Sequence, residues 1–478
     1  MFDIDSAIII GFLVINLLIG LFYGKNITTI KEYSLGKRNF STSTITATIV
    51  ATWISGSALR IDMSSTYELG ILYLFSATGV ALVFLLLAIV FVPKMGQFLG
   101  KISVAEAMGD VYGRELRLIT IICGFFFCMG PVAAQFKVAS ELFRYFTGIS
   151  NIYASSFAGA IVILYSSYGG IRSVTFTDVI QVFTFGIFLP GLCFFIWEGL
   201  DELSNVKSVL ENNPIFDISS SFSFNNPQFV PSIFLFLYFL LPDFNPAIFQ
   251  RISMARDLNQ ARKSFYIAFI VCSVITILTC FIGILMLAKY PNTNPNNLLP
   301  LLIDSFSYKG LTGLMVVGVL AMLMSTADSY INSSAVLMSY DLCKEFNFKF
   351  TDKTQLSIAR ICSFVVGLGG IMLSFASDRL MDLMFIATSL YSIVSTTFIL
   401  TVLGFRTTKK CIFIGMFAGF ICLALWLGYF EAITGINCLI PCVLTNTIGI
   451  LLSHYTLKQP GGWMGTVVTG EKFIVNQN

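Results

Sequence analysis

Ser325, Thr326, Asp328 and Ser329 stand together in the middle of an apolar stretch that opens at Gly310 and runs past Ser334. In hydrocarbon a polar side chain costs free energy unless something binds it, so an aspartate beside hydroxyls at membrane depth marks a functional site. Hard oxygen ligands of this kind suit a small hard cation. Two other apolar stretches carry polar interruptions. One contains Ser55-Gly56-Ser57 with Arg60 and Asp62 beyond, the other Leu241-Pro-Asp-Phe-Asn-Pro-Ala247. Each proline removes a backbone donor and frees a carbonyl. Non-helical backbone at such depth is tolerated only where it is buried or lines a cavity.

The elements that must hold these residues follow from composition. Of 478 residues, 56% are hydrophobic, 14% aromatic and 12% charged, and the mean hydropathy is +0.82. That lies well outside the balance of soluble domains and predicts an all-α polytopic membrane protein with a single transmembrane domain. Taking each apolar run of about 20 residues as one span gives thirteen transmembrane helices: 5–23, 42–64, 68–93, 118–146, 150–167, 174–198, 230–250, 264–288, 311–340, 357–376, 381–403, 411–431 and 434–455. The first follows an acidic Met1-Phe-Asp-Ile-Asp5 and no small-residue cleavage site follows it, so it reads as a retained helix rather than a signal peptide. The two interrupted spans lie five helices apart, the pattern of an inverted-repeat secondary transporter in which unwound carbonyls and half-helix ends hold ion and solute near the midplane. Residues 42–198 and 230–403 would form the repeats, with 5–23 and 411–455 peripheral.

Orientation follows from the Lys/Arg bias of short connections. One side gathers Lys25, Lys31, Lys37, Arg38, Lys94, Lys101, Arg114, Arg117, Arg172, Arg251, Arg256, Arg262, Lys263, Lys344, Lys349, Lys353, Arg360, Arg406, Lys409, Lys410, Lys458 and Lys472; the other holds Lys207, Lys289, Lys309 and Arg379. The N-terminus is therefore expected outside and the C-terminus in the cytoplasm, with triplets such as Asn26-Ile-Thr28 on the unglycosylated side. Short loops suggest a bacterial inner membrane. The cluster from Arg251 to Lys263 reads first as an orientation signal, with a lipid or regulatory contact as the alternative.

Other classes fit poorly. Eleven cysteines lie without paired or metal-ligand spacing and read as small packing residues. A single histidine, His454, gives no basis for a His-rich metal site, and no nucleophile and base arrangement argues for an enzyme. A net charge of +3 does not argue for nucleic acid. A solute sensor would need a signalling module longer than the tail from Lys458 to Asn478, and a channel would pass current without stoichiometric coupling.

Four segments in this order resemble one family. They are Glu32-Tyr-Ser-Leu-Gly-Lys-Arg38; Tyr165-Ser-Ser-Tyr-Gly-Gly-Ile-Arg-Ser-Val-Thr-Phe-Thr-Asp178 with Gln181; Phe249-Gln-Arg-Ile252 with the basic stretch to Lys263; and Ala321 to Ser334 followed by Tyr340-Asp-Leu342. Together they resemble the sodium:solute symporter family, which includes bacterial proline, pantothenate, sugar and sialic acid permeases. The resemblance implies a thirteen-helix version of the leucine-transporter architecture with two inverted five-helix repeats, sodium as coupling ion, and a small polar organic solute such as an amino acid, carboxylate or vitamin. Proton coupling is the alternative, and the family allows a functional monomer in contact with membrane lipid.

Carried over position by position, the resemblance implies a sodium site made by the backbone carbonyls of Ala51, Ile54 and Met322 and the hydroxyls of Ser325 and Thr326. Residues 322, 325 and 326 share one helical face. Ser and Thr bonding back to their own helix is the structural alternative. Some relatives have a second sodium, whose matching positions are Ser325, Asp328, Ser329 and Asp178. Asp328 departs from the family's usual hydroxyl, so these carboxylates would bind a cation more strongly, share a proton, or pair with an intramembrane cation such as Lys137 or Arg60. Trp53 stands where the proline permeases have an aspartate, which puts proline in doubt. Trp53, Ser57, Arg60, Gln135 and Asn245 are candidate cavity-lining residues by location. Arg60 or Lys137 could contact a solute carboxylate; alternatively Arg60 pairs with Asp62, and Lys137 with Glu141 one turn away.

Overall fold

The structure is a computed structural model that describes residues 4–25, 27–147, 151–200, 203–304, 309–346, 350–375 and 380–464. Asn26, Lys349, Arg379, Lys472 and the tail after residue 464, all invoked above, lie outside these. The main helices are α1 (Ile4–Tyr23), α2 (Thr42–Trp53), α3 (Gly56–Leu69), α4 (Ile71–Leu86), α5 (Arg114–Thr147), α6 (Asn151–Glu198), α7 (Phe229–Leu240), α8 (Pro246–Ser253), α9 (Leu258–Lys289), α10 (Leu311–Val336), α11 (Asp352–Leu373), α12 (Leu380–Leu403), α13 (Lys409–Leu425) and α14 (Leu439–Thr456). Among the described residues nine helical segments are long and apolar enough to cross a membrane, α1, α5, α9, α10, α11 and α14 among them. The rest of the apolar length is divided by breaks or shortened.

Both expected interruptions are present, and their local chemistry explains them. Helix α2 starts after Ser41, whose hydroxyl accepts the Thr44 amide at 3.1 Å. It ends at Ile54, which turns to ψ 110°. Ser55 then caps α3 by accepting the Ala58 amide at 2.9 Å. A serine N-cap immediately after an extended residue offers the chain a new helix start in place of a continuous one. Gly56 makes the restart compact, because a Cβ there would sit 2.6 Å from Leu323 of α10. The span expected at 42–64 is therefore two helices reaching Leu69, and Gly70 at φ +53° separates it from α4.

The second interruption uses proline. Helix α7 ends at an extended Leu241, and Asn245 caps α8 by accepting the Ile248 amide at 3.0 Å, with Pro246 in the first turn, where its missing N–H costs nothing. The stretches expected at 150–167 and 174–198 follow one another in α6 as two helices that meet at Gly170, whose backbone is not helical (φ 54°, ψ −160°). A Cβ there would meet the Tyr33 main-chain oxygen at 2.8 Å. Gly170→Ala is accordingly expected to destabilise the protein by about 1–3 kcal/mol, measured as a lower melting temperature of the detergent-purified chain; an unchanged melting temperature would mean the kink is not required.

Helix α10 is the centre of the molecule, since every residue from Met315 to Val336 is buried. A helix covered on all sides belongs to the interior of a large assembly. It packs against α6, α5, α11 and α1, while α9 packs against α2, α3 and α4. Helix α1 is different, with Ile10, Val14, Leu18 and Phe22 exposed along a face suited to lipid. Its start is fastened by Asp5, whose Oδ1 accepts the amides of Gly310 and Gly313 at 2.9 and 2.6 Å and so caps α10 from another helix. Further along, Asn16 Oδ1 accepts from Gln181 Nε2 at 3.1 Å and the Gly20 carbonyl from Ser173 Oγ at 2.7 Å, both on α6.

Candidate functional site

The two breaks face α10, and four of the five expected sodium ligands, Ala51, Met322, Ser325 and Thr326, come together there. The Ile54 amide closes the last bond of α2 on the Val50 carbonyl at 2.8 Å. Carbonyls from Ala51 onward are thereby released from the helical pattern. Thr326 Oγ1 lies 3.4 Å from the Ala51 oxygen and 3.3 Å from that of Met322, and Ser325 Oγ lies 3.1 Å from the Met322 oxygen. Ala51, Met322 and Ser325 are wholly buried, and Ile54 and Thr326 nearly so. The set is one of neutral oxygens gathered between a helix end and a helix face. That donor chemistry fits a monovalent hard cation that must also leave.

The expected second position is occupied by a residue that the sequence reading placed elsewhere. Arg251, counted above among the loop cations, lies on α8 and is fully buried. Its Nη2 is 3.6 Å from Asp178 Oδ2 and 2.5 Å from Ser329 Oγ, and its Nη1 is 3.2 Å from Gln250 Oε1. Asp178 also accepts a hydrogen bond from Thr48, while Thr52 and Ser329 hydroxyls are 3.1 Å apart. Asp328 is fully buried on α10 and lies within electrostatic range of Arg251. The position therefore brings Asp178 and Ser329 together through a guanidinium. Arg251 escaped charge counting because a cation in the last turn of a short half-helix looks, in sequence, like one at a membrane edge.

Beside this cluster of oxygens lies a cavity of about 150 Å³ bounded by both breaks. Of the solute-site candidates, Trp53, Ser57, Gln135 and Asn245 line it, as do Ile54 and Thr326. Gln135 and Ser57 are mutually bonded: Gln135 Nε2 donates to Ser57 Oγ at 2.8 Å and Gln135 Oε1 accepts the Ser57 amide at 3.3 Å. Asn245 Nδ2 donates to Asp243 Oδ2 at 3.2 Å and lies 3.5 Å from the Tyr330 hydroxyl.

Arg60 is not in the cavity wall. Its Nη1 is 3.1 Å from Glu141 Oε1 on α5, and its Nη2 is 3.5 Å from the Asn296 carbonyl. The pairing of Arg60 with Asp62 is thereby corrected. Residues two apart on a helix point in different directions, and Asp62 instead accepts from the hydroxyls of Tyr73 at 2.7 Å and Thr279 at 2.6 Å. Asp62 and Asp243 both line the cavity. Neither was among the expected site residues, although Asp243 stands between the two prolines that announced the break.

Residues 33–419 match the profile of the sodium:solute symporter family, most of the chain and all of the residues just described except the terminal helices. The chain belongs to the sodium:solute symporter family. It is thus a multi-pass membrane transporter with sodium as its coupling ion. This symporter is 24% identical over 459 residues to sodium-coupled monocarboxylate transporter 1 of Homo sapiens, covering 89% of this chain and 73% of that one. It is also 24% identical over 445 residues to high-affinity choline transporter 1 of Drosophila melanogaster, covering 87% of this chain and 70% of that one. Its fold matches that of a Na+-coupled sialic acid symporter solved in a substrate-bound outward-open state, with a TM-score of 0.82, 18% identity, and coverage of 94% and 97%. The architecture of this symporter is therefore leucine-transporter-like.

Proposed function

We propose that this symporter uses inward sodium movement to accumulate a small polar organic solute by alternating access. The observation that carries the reading is the shared wall: Ile54 and Thr326 belong both to the sodium cluster and to the cavity. An ion bound across Ala51, Ile54, Met322, Ser325 and Thr326 would fix the broken helix against α10, and the same act would shape the solute pocket beside it. Trp53, Ser57, Gln135 and Asn245 are the solute-facing residues of the proposal. The placement of Trp53, Ser57 and Asn245 at two helix breaks, with Gln135 of α5 bonded to Ser57, supports it, because half-helix ends supply uncompensated donors and acceptors there.

The proposal includes two inverted repeats, 42–198 and 230–403, with 5–23 and 411–455 peripheral and thirteen spans in all. The correspondence of α2 and α3 with α7 and α8, each pair broken once, supports this division. It also includes a bacterial inner membrane, an external N-terminus and a functional monomer; the Lys/Arg asymmetry supports the orientation even with Arg251 removed from the tally. A second cation position formed by Ser325, Asp178, Asp328 and Ser329 would share its oxygens with Arg251, so ion entry there requires the guanidinium to withdraw.

Uptake into proteoliposomes under a sodium gradient, with proton-gradient and no-gradient controls, tests the proposal. Accumulation confined to the sodium arm supports it, and accumulation driven by protons alone overturns the ion assignment. In the same assay Arg60→Gln is expected to keep the solute KM within about twofold of the parent, since an arginine already paired contributes little direct recognition. A KM raised tenfold or more would return Arg60 to the solute site.

A further inference from the structure

We propose that the transported solute is an organic cation whose ammonium group is held between Asp62 and Asp243. This rests on the symport reading and names the class of its solute. Relatives of equal similarity are named for a carboxylate and for choline, solutes of opposite charge. Likeness therefore leaves the sign open, and the cavity supplies it.

The first observation is charge. Among the described residues, the cavity wall carries two aspartates and no lysine, arginine or histidine. The hydrogen bonds those aspartates accept come from neutral groups: the hydroxyls of Tyr73 and Thr279 for Asp62, and the Asn245 amide for Asp243. Nearby arginines are engaged elsewhere, Arg60 with Glu141 and Arg251 with Asp178 and Ser329. A carboxylate solute would enter a low-dielectric space whose wall offers it no cation, whereas an ammonium group would find two carboxylates able to serve as its counter-ions.

The second observation is aromatic and independent of the first. Tyr73, which bonds Asp62, meets Phe239 edge-on at 6.4 Å between ring centroids, and Phe239 meets Tyr238 at 5.4 Å. Across the cavity Phe127 and Tyr330 meet at 5.7 Å, and all five rings line it. Ring faces attract cations, most strongly where water is excluded. Asp243 lies in the non-helical link between α7 and α8, is partly exposed, and lines the same space as these rings.

The test uses the full chain, purified and reconstituted, with labelled choline, tetramethylammonium and ethanolamine as cation probes and lactate and N-acetylneuraminate as anions. Equilibrium binding in sodium is expected for at least one cation probe, competed by the other cations and not by lactate. Asp243→Asn should weaken it roughly tenfold to a hundredfold, the loss of one charged partner, and Asp243→Glu should restore part of it. Asp62→Asn provides a second variant should Asp243→Asn fail to fold. Binding of an anion but of no cation, binding of no cation at all, or cation binding indifferent to both aspartates overturns the assignment. Sodium-driven accumulation of lactate or N-acetylneuraminate without cation binding rejects the cation and leaves symport intact. Cation binding that depends on Asp243 but drives no sodium-dependent accumulation supports the solute class and rejects symport.

Discussion

Replacing Arg251 by glutamine is expected to destabilise the folded protein by roughly 3–5 kcal/mol, read as a large fall in melting temperature and in monodisperse yield after detergent extraction. The guanidinium is fully buried, 3.6 Å from Asp178 Oδ2 and 2.5 Å from Ser329 Oγ. Removing it strands a buried carboxylate, which is far more costly than losing the pair together. Arg251→Gln combined with Asp178→Asn should therefore recover most of the loss. If the double variant is no more stable than the single one, the pair is not the reason for the burial. Sodium gives a second readout. A cation able to reach Asp178 should raise the melting temperature of Arg251→Gln more than that of the parent, because ligand binding to the folded state stabilises by mass action. Equal sodium shifts in both proteins would remove the second cation position from the proposal.

Thr326→Ala is expected to raise the sodium concentration for half-maximal uptake by roughly tenfold, the loss of one oxygen ligand, with little change in the ranking of solutes. Its hydroxyl stands 3.4 Å from the Ala51 carbonyl and 3.3 Å from that of Met322, bridging the end of α2 to the face of α10. Thr326→Ser keeps the oxygen and discards the methyl, so it should hold the parental sodium curve. The competing role is simple bonding back to the helix. In that case both variants would show the parental sodium dependence, and only stability would move.

Much of this arrangement was legible because breaks in lipid have few causes. Ser55-Gly56-Ser57 and the prolines at 242 and 246 announced two half-helix ends, and the hydroxyls at 325 and 326 lay one turn from Met322 on the helix that receives them. Pairing was much less legible. Arg60 had two acidic residues within reach by sequence logic, and helical phase sent it to Glu141, which is 81 positions away, while Asp62 turned to Tyr73 and Thr279. Arg251 shows the limit of counting charges along a chain: its neighbours Phe249 and Ile252 are as buried as it is, yet only the fold of α8 against α10 reveals that its charge lies inside. At Gly170 the backbone was partly legible, since the gap expected between 150–167 and 174–198 holds Gly169-Gly170, but only the fold shows that Tyr33 leaves no room there for a Cβ.

Helix α1 has a consequence for movement. Its 20 residues, about 30 Å of helix, match the hydrocarbon thickness. One end is latched by Asp5 to the start of α10, and the other by the Gly20 carbonyl to Ser173 of α6. It therefore acts as a strut of fixed length. Sliding of α10 along α6 by more than the reach of a hydrogen bond must open one latch before the other, which makes a peripheral helix a limiter of travel for the core it borders.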